Sequence, residues 1–193
     1  MRREMDLFKN RRFAVLITVV VVVLATLFGV NKSLSRLSRD IEVQFYDGVY
    51  LESEGYTQPS IDFQLEKMST AALNLATLLQ GHPELTSAAE DLLLARRTLL
   101  DAESIRYKGR DLLWMDGIFA TLVTLAGRVT DLSEREVDAV AEYAQAFESA
   151  SIFVYGTLAP SYNSKVDGFY NERSTIAALV SNKAPEYFDT VPR

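Results

Sequence analysis

Phe13 to Val30 read FAVLITVVVVVLATLFGV, eighteen positions without a charge, bounded by Arg11 and Arg12 on one side and by Asn31 and Lys32 on the other. A helix rises about 1.5 Å per residue, so this stretch covers about 27 Å, close to the ~30 Å hydrocarbon layer of a bilayer. Val19 to Val23 are consecutive β-branched residues, poor helix formers in water. Lipid offers backbone groups no other partner and imposes the helix anyway. The reading is a retained membrane anchor. A cleaved signal peptide needs a shorter apolar run and a small-residue cleavage site, for which Ala25 and Gly29 are wrongly spaced. A buried core element is the remaining alternative.

Five bases precede the stretch (Arg2, Arg3, Lys9, Arg11, Arg12) and three follow it closely (Lys32, Arg36, Arg39). The positive-inside rule then puts residues 1–12 in the cytoplasm as a basic tail and everything after residue 30 outside it, on a plasma membrane crossed once. Residues 1–12 carry net +3 of a total −6, which leaves −9 for the rest. Anionic lipid would repel such a domain rather than hold it flat.

That balance argues against a nucleic-acid partner, which calls for clustered Lys and Arg. With no Cys and a single His, the 193-residue chain has no disulfide framework, thiolate nucleophile or usual zinc set. No phosphate-binding glycine loop and no nucleophile elbow occurs. The expectation is no catalytic residue, no metal and no cofactor.

Beyond the anchor, apolar residues recur at three- and four-residue spacing, and no β-hairpin signal is evident. The fold class expected is all-α: an N-terminal transmembrane helix followed by an antiparallel bundle of four to five long helices. Residues 31–58 form a stalk and first bundle helix striped by Leu34, Leu37, Ile41, Phe45 and Val49, ended by Gly55, Thr57 and Pro59; residues 59–193 form the remainder.

A second helix opens near Ser60, with Leu65, Met68, Ala72, Leu75 and Leu79 on one face. A third can be capped by Thr86 or Ser87 and carries Ala89, Leu92, Leu93, Arg96, Leu99 and Leu100; whether it continues past Gly109 is left open. Asp111 to Val129 is the most apolar part of the domain, but its uncharged core, Ile118 to Gly127, has a length typical of a core helix rather than a second span. Ser133 to Glu136 forms a capping box, followed by an inner face of Val137, Val140, Ala144, Phe147, Ser151 and Val154. Pro160 stops or kinks that helix, and Ser161 recaps a last one with Val166, Phe169, Ile176 and Val180 inward.

Within this last helix stand two aromatic-amide pairs, Tyr162 with Asn163 and Tyr170 with Asn171, and Val166 lies between them. Asn is a poor helix-interior residue and has to find hydrogen-bond partners, whereas Tyr buries its ring and still presents a hydroxyl. The candidates for a structural or recognition site are therefore Tyr162, Asn163, Val166, Phe169, Tyr170 and Asn171. The two readings are a polar recognition face and an inter-helix hydrogen-bond network that sets register. The pairs stand eight residues apart; a step of seven returns to within about 20° of one face and a step of eight drifts about 80° from it. Tyr162 and Phe169 share a face, and Tyr170 sits beside it.

From Tyr162 to Phe188 the chain resembles the LemA family, which carries Y-N-x-x-V-x-x-Y-N on its last long helix and a Pro-aromatic tail, here Pro185 to Phe188. The layout of one N-terminal membrane helix and a helical domain is similar too. The resemblance implies an antiparallel bundle tethered to a bacterial membrane, without established enzymatic activity, acting through a protein partner or as a homo-oligomer at the cell envelope. The alternatives are a sensor or receptor-type ligand-binding bundle, which calls for a second span and an output module, and an envelope hydrolase.

Smaller features have plain readings. His82, in a Gly-His-Pro-Glu turn, is expected to be an exposed loop residue. Asp111 and Asp116 lie about 140° apart around a helix and do not converge, so Asp111 is expected solvated or capping, and Asp116 solvated or paired with Arg97, Arg106 or Arg128. Glu134, Glu136, Asp138, Glu142 and Glu148 give their helix an acidic outer face.

Overall fold

The computed structural model describes residues 11–53, 55–172 and 184–189. It is all-α apart from one short ribbon. The elements are α1 (Arg11–Asp47), β1 (Val49–Leu51), β2 (Tyr56–Gln58), α2 (Ile61–Leu79), α3 (Thr86–Asp101), α4 (Ile105–Ala126), α5 (Glu134–Phe153), a π-helical turn (Val154–Leu158) and α6 (Ala159–Glu172). The chain divides into two compact units, Met1–Asp40 with Phe169–Pro185 and Ile41–Gly168 with Glu186–Arg193.

In the first unit, α1 carries the one helix among the described residues that is long and apolar enough to cross a membrane, and none of its apolar window is buried. Leu16, Val22, Leu24 and Phe28 are all exposed. A core helix of a soluble fold would hide such a surface, so the exposure removes that alternative. The two hydroxyls in the stretch are satisfied within the helix: Thr18 donates to Ala14 O at 3.0 Å and Thr26 to Val22 O at 2.9 Å. Neither therefore presents an unmade hydrogen bond to lipid.

The second unit is the helical bundle. α2 is its centre, packed on α5 and on α3, while α3 packs on α4. All five residues expected on the inner face of α2 are buried. Phe119 of α4 and Phe147 of α5 stack with ring centroids 3.8 Å apart. Polar links tie the same helices: Arg96 Nε donates to Ser69 O at 3.1 Å, and Lys108 Nζ meets Asp62 Oδ1 at 2.5 Å. Ser60 and Ser104 cap α2 and α4 by accepting from Phe63 N and Tyr107 N, and Ser133 with Glu136 forms the expected capping box on α5. The stretch from Asp111 is a core helix, with Leu112, Met115, Phe119, Leu122 and Ala126 buried.

Several expectations are corrected. α1 ends at Asp47, and residues that were expected to end it form an antiparallel ribbon instead, Val49 opposite Gln58 and Leu51 opposite Tyr56. Gly48 allows this turn: its φ is +81°, and a Cβ there would lie 2.2 Å from Gln58 O. The third helix has no side-chain cap; Thr86 Oγ1 instead donates to the carbonyls of Gln80 and His82. It breaks after Asp101, and Gly109 belongs to α4. Leu100 and Val137 are exposed, and Ala95 takes the inner position on α3.

α5 ends at Phe153, before Pro160, and Ser161 does not recap a new helix. The π-helical turn Val154–Leu158 precedes the proline, with Ala159 N–H donating to Val154 O, so Pro160 falls in the first turn of α6, where its missing donor costs little. Ser161 lies inside α6. Ile176 and Val180 lie outside the described residues.

Candidate functional site

Tyr162, Asn163 and Tyr170, singled out on the last helix, direct their polar atoms to the backbone of residues 185–188. In the bundle unit, Tyr162 is buried and its hydroxyl donates to Glu186 O at 2.9 Å. Asn163 makes a two-way pairing with one residue: its Nδ2 donates to Phe188 O at 2.9 Å, and Phe188 N–H donates to its Oδ1 at 3.0 Å. One side-chain amide thus behaves as a strand edge toward the extended segment Glu186–Asp189. This explains an Asn inside a helix, since its polar atoms are used by the backbone of Phe188.

The same segment is held on its other sides. Phe188 is fully buried, and its ring lies 5.4 Å from that of Phe45, which in turn meets Tyr162 at 5.7 Å. The Glu186 carboxylate accepts from Arg106 N–H at 3.2 Å, in the first turn of α4, where a helix favours negative charge. Tyr187 Oη donates to Asp167 Oδ1 at 2.8 Å. Gly109 lets the backbone of the segment approach α4: a Cβ at 109 would lie 2.4 Å from Asp189 O. Lys165 bonds Gln44 Oε1, and burial lowers its pKa. The Tyr46 phenol is raised by burial and then by the charges of Asp62, Glu42 and Glu186.

Val166 is fully buried. In the other unit, Phe169 is buried while Tyr170 is 40% exposed, the difference that a step of seven rather than eight produces. The Tyr170 hydroxyl reaches Pro185 O at 3.3 Å, and Asn171 is exposed. The sequence pattern picked out Tyr162 and Asn163 by residue type. Phe45, Arg106 and Gly109 were missed; the only signal for them was a glycine interrupting a helical pattern, which also fits a packing accident.

Other candidates sit apart from this slot. His82 is not an exposed loop residue: its Nε2 lies 3.1 Å from Glu136 Oε1 and its Nδ1 3.9 Å from Asp131 Oδ1, its side chain only 18% exposed. Glu136 is held down to about 2, by Ser133 first and then by His82. Asp111 is not solvated but buried, in an ion pair at 3.0 Å with Arg110 beside it. Asp116 is half-buried, and desolvation raises its pKa. The buried Tyr155 hydroxyl has no hydrogen-bond partner among the described residues, and burial and then the Asp116 charge raise its pKa. An open groove of about 760 Å³ runs between α2 and α5, with Phe63, Tyr143 and Phe153 as walls and Glu66, Lys67 and Glu142 at its rim.

No protein-family model matches this chain, and no curated protein or solved structure is significantly similar to it.

Proposed function

We propose that this chain is a single-pass plasma-membrane protein of the LemA type, with its N-terminus cytoplasmic and its acidic bundle outside the cytoplasm. It works without enzymatic activity, by protein binding or self-association at the cell envelope. The observation that carries the reading is the uncharged, unburied apolar stretch of α1 on a chain whose other unit is a helical bundle. The site supports binding over catalysis in a specific way: Tyr162 and Asn163 spend their polar atoms on peptide backbone, not on an open cavity. The Tyr-Asn pairs and Pro-aromatic segment are also the residues that carry the family resemblance.

The chain has no cysteine, so one introduced at exposed Glu148 reports its side of the membrane without background. A membrane-impermeant thiol reagent is expected to label Glu148→Cys in intact cells, and labelling only after lysis overturns the orientation. Crosslinking in native membranes is expected to yield a discrete partner or homo-oligomer band; a chain that stays monomeric throughout overturns the binding reading. The α2/α5 groove favours a second reading, a ligand-sensing bundle, which predicts thermal stabilisation of the purified protein by small envelope metabolites and its loss in Ala146→Trp.

A further inference from the structure

We infer that the slot formed by Phe45, Arg106, Gly109, Tyr162 and Asn163 is a peptide-binding site, and that besides its own Glu186–Asp189 it takes the same segment from a second copy of this chain. The inference rests on the self-association reading above and gives it a mechanism.

The occupant is recognised as a peptide is. Three hydrogen bonds, from Tyr162 to Glu186 O and both ways between Asn163 and Phe188, read main-chain atoms, as when a strand is added to an edge. Side-chain selectivity comes from two points: the buried ring of Phe188 against Phe45, and the Glu186 carboxylate on Arg106 N–H. The ligand class is therefore an extended segment with an acidic residue two positions before a phenylalanine. Gly109 supplies the clearance for its backbone.

None of these contacts depends on covalent continuity between slot and segment. An identical segment from a neighbour satisfies every one of them, and exchange of identical elements is a low-cost route to dimers. Membrane anchoring keeps all copies in one plane, which raises the local concentration of competing segments. The chain's own segment is the standing competitor, so exchange grows with copy density.

The test uses the full chain in membranes, with p-benzoylphenylalanine in place of Tyr187 in one tagged copy and an unmodified, differently tagged copy as recipient. Irradiation is expected to join the two copies through the part of α6 that contains Asp167. Gly109→Ala in the recipient favours the helix yet blocks the segment, and is expected to cut the adduct at least tenfold. Phe188→Ala in the recipient, which weakens its own occupant, is expected to raise it. Adducts confined within one copy, or adducts between copies that ignore Gly109→Ala, overturn the exchange. If a partner band persists in unmodified membranes after either result, the broader binding reading survives without it.

A second measurement covers the absence of any adduct. A labelled APEYFD peptide is expected to bind the detergent-solubilised Phe188→Ala chain at least tenfold more tightly than the unaltered chain. No binding to Phe188→Ala overturns the site itself.

Discussion

Two long helical stretches of this chain meet opposite surroundings. Phe13 to Val30 and Ile105 to Ala126 are both helical and rich in Leu, Val, Ile and Phe. The first is apolar all round and exposes Val15, Leu16, Leu24 and Phe28; the second buries Leu112, Met115, Phe119 and Leu122 and turns Trp114 and Ala120 outward. The difference lies in both content and circumference: the first stretch has no charge, whereas the second contains Arg106, Lys108, Arg110, Asp111 and Asp116. A helix greasy on every side has no aqueous solution to its packing problem, whereas one with a polar or small back face closes a core with its neighbours. Asp116 enforces this choice, since it would be costly in lipid and is only half-buried in the bundle.

The comparison can be broken most forcefully at its buried end. Phe119→Ala removes the ring stacked on Phe147 and is expected to cost about 3–5 kcal/mol in denaturant unfolding, while Phe28→Ala, on the exposed stretch, leaves bundle stability within about 0.5 kcal/mol. Reversing the roles, Val21→Arg places a charge in the middle of the apolar stretch; on the proposed membrane reading it is expected to disfavour insertion by about 2.5–3.5 kcal/mol, read as loss from the carbonate-resistant membrane fraction. Ala120→Arg, on the outward face of α4, is expected to change neither membrane fraction nor unfolding appreciably.

The ends of the helices sharpen the contrast further, because the starts of α2, α4 and α5 are capped by Ser60, Ser104 and Ser133. Ser133→Ala takes the oxygen from the α5 capping box and is expected to lower bundle stability by about 1 kcal/mol, with the anchor unaffected. The smallest effect is a titration. Glu136 in the folded chain is held down to about 2, below the ordinary value of about 4.3 for an unfolded Glu. Its contribution is therefore complete above about pH 4.3 and is lost as pH falls toward about 2, where the unfolded chain binds the extra proton first. Unfolding followed across that window is expected to show a flatter acid slope in Glu136→Gln.

What the sequence disclosed follows the range of the interactions involved. The face of α2, the capping box and the long apolar helix depend on residues within a few positions of one another, and all were readable. His82 was misjudged because its partners Asp131 and Glu136 stand about fifty residues away, brought close only when α5 packs on α2. Asp111 was misjudged because burial depends on what covers it. At the slot, Asn163 announced that it needed a partner, and the spacing of Tyr162, Phe169 and Tyr170 announced their faces. That the partner was an extended backbone rather than a helix was invisible, since Phe45, Gly109 and Phe188 are scattered along the whole chain.

The π-helical turn at Val154–Leu158 sets the azimuth of all that follows it. Such a turn accommodates one residue more than an α-helix would, and each residue is worth about 100° of rotation. Removing Gly156 would let α5 run straight into α6 as a single regular screw. The Tyr162 hydroxyl and the Asn163 amide would then swing about a quarter of a circle around the axis and point past the backbone they now hold. The wide turn is a rotational shim, and its omission would leave the bundle's helices standing with their grip on the segment pointed elsewhere.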